Sequence, residues 1–205
     1  MTTDTIDIAP KLRGRPREFD MDAALDEALR VFSERGYYAA SISELTEAMG
    51  LTAGSVYKAF GDKRGVFLAA FDRYRHVRQH MLDDCIAAAP NGYEKLRALM
   101  TFFAGSSWGD IGRRGCLAVG SATELALFDD DVAKRIGVAF DFDERRILDL
   151  IRLGQEDGSI PKHVDAESTA CAILSFTKGM RVVGKTGRTQ EHMFAASEAA
   201  MKLLN

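Results

Sequence analysis

Between Ser41 and Phe60 the chain has room for two helices of barely two turns each and a tight turn between them. Ser41-Ile42-Ser43-Glu44 is a capping box: the serine hydroxyl takes the amide of Glu44 while that carboxylate reaches back. Leu45, Ala48 and Met49 give the first short helix an apolar face, and Gly50 supplies the left-handed residue that ends it. Thr52 caps the second, over 53–60, with Val56 and Phe60 on its inner side. On the N-terminal side Asp20 caps an expected helix whose Met21, Ala24, Leu25, Ala28, Leu29 and Phe32 recur at helical spacing until Gly36. On the other side Gly61-Asp62 is a break, and a long helix is expected over 63–88.

The pattern stays helical to the end. Helices are expected over 92–107, 116–128, 129–155, 166–185 and 190–204, with a flexible glycine-rich connection (Gly105, Gly109, Gly112, Gly115) after the first of these. Gly158, Pro161, Asp165 and Thr189 punctuate the rest. The expectation is an all-α chain of about nine helices: a basic arm over 1–18, a three-helix helix-turn-helix unit over 19–66, and a larger helical domain over 67–205. Apolar residues at 46% and charged residues at 28% of 205 fit a globular protein and exclude wholesale disorder. No apolar stretch approaches the roughly 20 residues that cross a bilayer, and the opening MTTDTIDIAP has no apolar core of a secretory signal. A cytoplasmic protein without membrane contact is expected.

Charge and donor chemistry point to nucleic acid. Two short helices joined by a tight turn are the layout in which the second enters the DNA major groove and the first crosses the backbone. Ser41, Thr52, Ser55 and Tyr57 are neutral donors suited to phosphate oxygens. Lys58 is the long cation on the outer side of the second helix, with reach to a guanine edge or a phosphate, and Ala53 offers a thymine methyl only apolar contact. Lys63, at the start of the next helix, can neutralise a further phosphate. Lys11, Arg13, Arg15 and Arg17 form a run without an acid, although residues 1–80 hold 12 basic and 12 acidic side chains. An arm with spaced arginines suits the minor groove.

GRPREFD at 14–20, the helix ending Glu34-Arg35-Gly36-Tyr37, and SISELTEAMGLTAGSVYKAFGDKRGVF at 41–67 resemble the TetR family of transcriptional regulators. The resemblance covers about a third of the chain. It implies a homodimer that grips a palindromic DNA operator through the N-terminal helices. It further implies a small-molecule inducer bound in the helical domain, dimerisation through the last two helices, and release of the operator on induction. Position by position, Thr52, Ala53, Ser55, Tyr57 and Lys58 match the recognition helix, Ser41 the cap on the backbone, and Lys63 the lysine that follows. Two positions depart: Ala59 stands where the family often has a histidine, and Ala53 where a polar residue is frequent. Both thin the set of base-reading side chains.

Beyond the match, the last two expected helices are rich in small residues, Ala170, Ala172, Ser175 and Gly179 on one and Ala195, Ala196, Ala199 and Ala200 on the other, which suits close helix packing. Cys116, beside Arg113 and Arg114 at an expected helix start, is placed where a thiolate is favoured. RRGCLAVGSATELA resembles a subgroup of the family in which some members sense electrophiles or oxidants; a packing role is the plainer alternative. Cys85 and Cys171 have no such surroundings. Phe102, Phe103, Trp108, Phe140, Phe142 and Phe176 are candidates to line an apolar ligand pocket, with Trp108 as a lid, against the commoner role of core aromatics. Asp72, His76 and His80 share a helix face, but a metal site lacks a fourth ligand, and a solvated face accounts for them. No cofactor, phosphate-loop or hydrolase motif is present. The readings set against a regulator are an architectural DNA-binding protein of low sequence preference and an enzyme acting through Cys116.

Overall fold

The computed structural model describes residues 20–205, and among them all regular structure is helical. The helices are α1 (Met21–Arg35), α2 (Ile42–Ala48), α3 (Ala53–Phe60), α4 (Lys63–Ala87), α5 (Gly92–Gly105), α6 (Gly109–Arg114), α7 (Leu117–Glu124), α8 (Asp130–Asp157), α9 (Ala166–Val183) and α10 (Gln190–Ala200). Short 3-10 turns, Gly184–Thr186 and Met201–Leu204, follow α9 and α10. All nine expected helices are present, and α6 is an addition. The caps hold as the sequence implies: Asp20, Ser41, Thr52, Asp165 and Thr189 each accept an amide of the first helical turn. Asp129 caps α8 in the same way. The arginines at 13, 15 and 17, expected to touch DNA, lie outside the described residues.

α6 replaces the flexible connection because its glycines serve close approach. A Cβ on Gly112 would lie 2.6 Å from the Ser107 backbone, and one on Gly184 only 2.2 Å from the Ser107 carbonyl oxygen. Side chains at either position would push α6 off the end of α9, so glycine here holds the segment tightly. The opposite correction applies to α7, which ends at Glu124 and not at 128. Leu125 is still buried, whereas Leu127 and Phe128 stand in solvent at 89% and 75% exposure.

α4 joins the two halves. Its first turns give Val66, Phe67, Ala70 and Phe71 to the core beneath α1, α2 and α3, where Phe67 meets Phe32 edge-on with ring centroids 5.3 Å apart. Its last turns give Leu82 and Ile86 to a second core built with α5, α8 and α9. The boundary expected at 66/67 therefore falls inside one continuous helix, between Val66 and Phe67, which pack in the same core. That core also takes in Leu117, Leu125, Val132 and Ile136, so α7 and the start of α8 pack directly onto the N-terminal helices. Among the described residues no helix is long and apolar enough to cross a membrane.

Candidate nucleic-acid interface and ligand site

α3 is held by little of its own surface. Val56 is its one fully buried residue, and Ala53, Gly54, Tyr57, Lys58 and Ala59 are exposed. The helix therefore lies on the α2 and α4 scaffold with nearly a whole face free, which a groove-reading helix requires. Thr52 Oγ1 accepts the Ser55 amide at 3.2 Å and lies 2.9 Å from the Ser55 hydroxyl. Ser41 accepts the Glu44 amide at 3.1 Å, and its own amide donates to Glu44 Oε2 at 2.9 Å.

The cations sort sharply. Arg30 pairs with Glu27 and Glu34, Arg35 with Glu44, and Arg64 with Asp129 and Asp131. Lys63, expected to meet a phosphate, is turned inward: its ammonium donates to the carbonyls of Tyr37 at 2.9 Å, Ala40 at 3.0 Å and Tyr38 at 3.4 Å, and lies over the Tyr37 ring. Three N–H groups on three carbonyls leave it as a tie for the α1–α2 turn. Among the described residues of the first three helices, Lys58 is the cation with no protein partner.

The same turn is gripped from the other domain. Glu124, at the end of α7, accepts the Tyr38 amide at 3.0 Å and the Tyr37 amide at 3.2 Å. Gly36 has φ +77°, and a Cβ there would sit 2.9 Å from Glu124 Oε2, so the glycine both makes the turn and admits the carboxylate.

At the other end of α7, Cys116 occupies the N-cap position, 3.1 Å from the Tyr74 hydroxyl. Burial opposes ionisation of this thiol, but Arg181, the Tyr74 hydroxyl, the Val119 amide and Lys178 together outweigh it, and the thiol lies below its ordinary pKa. Tyr74 is pushed the other way, by burial first and by the Cys116 charge second. Arg181 is 2% exposed; it donates to the Gly115 carbonyl, and its Nε and Nη1 have no acceptor. A buried guanidinium with free N–H groups is costly unless an anion offsets it, and its charge is the largest of the influences that lower the Cys116 pKa. Local sequence showed only Arg113 and Arg114 beside this cysteine. The cations that matter arrive on α9, and no spacing along the chain signals them.

A small cavity of about 50 Å³ lies beside the thiol, lined by Tyr74, Arg78, Phe102, Phe103, Phe140 and Lys178 among others. Phe102, Phe103 and Cys116 are thus brought together. Phe140 joins them in the lining, whereas Trp108, Phe142 and Phe176 do not. Trp108 packs against Ala104, Met180 and Met193, away from that cavity. Phe142 is 45% exposed on the outside of α8, and Phe176 lines an outward apolar hollow between α9 and α10. His76 and His80 meet edge to face with ring centroids 4.4 Å apart, but Asp72 pairs with Arg135. No cluster of three or more metal-ligating side chains occurs among the described residues.

Comparison with known proteins follows the two halves of the fold. Residues 24–70 match the bacterial regulatory proteins of the tetR family, and residues 92–200 match the tetracyclin repressor-like C-terminal domain. The HTH-type transcriptional repressor ComR of Escherichia coli is 30% identical over 208 residues, covering 99% of this chain and 97% of its own. The uncharacterized HTH-type transcriptional regulator YezE of Bacillus subtilis is 27% identical, covering 88% and 95%. Among solved structures, a cysteine-substituted form of the TetR family transcriptional regulator CifR, in complex with 26-base-pair operator DNA, superposes with a TM-score of 0.84. It is 31% identical and covers 94% of this chain and all of that one.

Proposed function

This chain belongs to the TetR family of bacterial regulatory proteins, and on that premise we propose that it is a repressor whose homodimer holds a palindromic operator and releases it when a small electrophile reacts with Cys116. It is a transcriptional regulator and not an enzyme. The observation that carries the reading is α3, anchored by Val56 and Phe60 and free on the face that bears Tyr57 and Lys58. The operator complex of CifR and the repressor ComR, both at 30% identity or above, support DNA as the partner of that face. Its site of action is the cytoplasm, with the DNA.

The contact set we assign is Ser41, Thr52, Ala53, Ser55, Tyr57 and Lys58. The hydroxyls and helix N-termini position the domain on phosphates, and Lys58 with Tyr57 reaches base edges. With Lys63 tied to carbonyls, the further phosphate contacts fall to the basic run from Lys11 to Arg17. A homodimer is supported by the outer sides of α9 and α10. Ala172, Ser175, Ala195 and Ala199 are exposed, as are Val182 and Val183, around the apolar hollow of Phe176, Met180 and Met193. Ala170 and Ala200, by contrast, are spent inside the subunit. Two-fold symmetry would set two α3 helices about 34–36 Å apart, in successive major grooves.

Binding-site selection from random duplex DNA at near-physiological salt tests the reading. A repressor enriches a palindrome with half-sites one helical turn apart. Binding without sequence preference, with a steep salt dependence, is the behaviour of an architectural protein and would overturn it.

A further inference from the structure

We propose that the electrophile reaches Cys116 through the cleft between α1 and α7, and that this cleft takes a small, uncharged or anionic thiol-alkylating compound. The inference rests on the reading of Cys116 as the inducer's target. Two hollows meet at this residue. The inner one, among α4, α5, α8 and α9, has about 50 Å³, room for little more than water. The other lies where the end of α1, with Gly36 and Tyr37, faces the outer side of α7. It has about 290 Å³, close to the roughly 300 Å³ at which small-molecule pockets begin. Ser33 stands on its α1 wall, Gly120 and Ser121 on its α7 wall, and Arg114 and Lys185 beside the cysteine.

The lining sets the charge of the ligand. Glu124 is spent on the Tyr37 and Tyr38 amides, and Glu34 is shared between Arg30 and Arg114. Lys185 lays its aliphatic chain against Gly115 and has no carboxylate partner among the described residues. Arg35 and Arg114 have carboxylate partners in Glu44 and Glu34. Lys185 is thus the lining cation without one among the described residues, and beside the cysteine it favours an uncharged or anionic reagent over a cation. The buried Arg181, with two unpartnered nitrogens, is the strongest cationic influence on the thiol and favours its ionisation.

The position also gives the chemistry a consequence. An adduct at Cys116 enters the cleft between α1 and α7, whose far end carries Gly36, Tyr37 and Glu124, where α7 holds the α1–α2 turn by its amides. Modification of the thiol therefore wedges the helical domain from the DNA-binding helices at their contact.

Alkylation rates of the full chain test this, with Cys85→Ser and Cys171→Ser introduced because both cysteines are exposed. The probe is N-phenylmaleimide, too large for the inner hollow. The thiolate adds to its double bond, forming the S–C bond; the π pair moves onto the carbonyl as an enolate, which water protonates. Gly120→Leu extends into open space, since a Cβ there meets nothing within 4 Å, and Ser33→Leu narrows the cleft from the opposite wall. Each folded variant is expected to slow alkylation of Cys116 by at least about tenfold. Rates equal to the parent in both variants overturn the cleft route. Cys116 unreactive in the native parent but reactive after denaturation overturns the inducer reading itself. In the unsubstituted chain, the iodoacetate-to-iodoacetamide rate ratio is expected to be higher at Cys116 than at Cys85; a lower ratio overturns the assignment of ligand charge.

Discussion

Lys58 concentrates the DNA-binding argument in one side chain, because every other described cation of the first three helices already has a protein partner. Lys58→Ala should weaken operator binding by about 1–3 kcal/mol and lower the salt slope by about one if it sits on a phosphate, with the thermal melt unchanged. Tyr57→Ala should act in the same direction, because a half-exposed ring contributes little to the core; titration at two salt concentrations measures both. Cys116 gives a pH-dependent expectation. Its thiolate fraction rises with pH, and because its pKa lies below the ordinary value of 9.0, its alkylation rate should reach half-maximum below that pH. Tyr74 and Arg78 face this locus from α4, Asp143 from α8 and Lys178 and Arg181 from α9. Asp143 is paired with Lys178 at 2.5 Å, and Arg181 is the cation that lowers the thiol pKa most, so Arg181→Met should move the midpoint up. At this scale the sequence is readable wherever a residue acts on its neighbours, as Ser41, Thr52 and Asp165 do as caps. It is silent on Arg181 and on the inward turn of Lys63, because both are set by packing between helices distant in the chain.

At the scale of elements, α7 is the part that a sequence reading undervalues. Its eight residues run from the thiol at the N-cap to Glu124, whose carboxylate holds two amides of the α1–α2 turn. Removing that acceptor hands the exposed Tyr38 amide to water and leaves the part-buried Tyr37 amide to find another partner, a loss of about 1 kcal/mol. Glu124→Ala should therefore speed hydrogen exchange at Tyr37 and Tyr38 and weaken operator binding, with Glu124→Gln intermediate. Unchanged exchange at both amides would mean that the contact does not hold the turn. The nine helices predicted from capping residues and apolar periodicity are present because both signals are local. α6 escaped because Gly109 and Gly112 read as punctuation, whereas Gly112 and Gly184 serve a close approach of two backbones. α7 was overextended because Leu125 to Phe128 look apolar, and nothing in the pattern says that Leu127 and Phe128 face solvent.

For the molecule as a whole, the account joins a free helix α3, a symmetric pairing of α9 and α10, and a thiol at the seam between the halves. The DNA-binding half was legible because its turn and caps lie within a few dozen consecutive residues. The ligand region was not, since Phe102 and Phe103 reach the cavity and Phe142 and Phe176 do not, a division that only the packed bundle decides. If the dimer forms through the outer faces of α9 and α10, Ala199→Arg should yield a folded monomer by light scattering and lose most operator affinity, because one half-site is then held alone. The most direct measurement is the dissociation constant for a selected operator before and after stoichiometric alkylation of Cys116 by N-ethylmaleimide. Cys116→Ser, treated identically, is the control. The account expects at least about a tenfold loss of affinity in the parent and none in the variant. Equal affinity of alkylated and unmodified parent would contradict it, and would separate the thiol from the control of DNA binding.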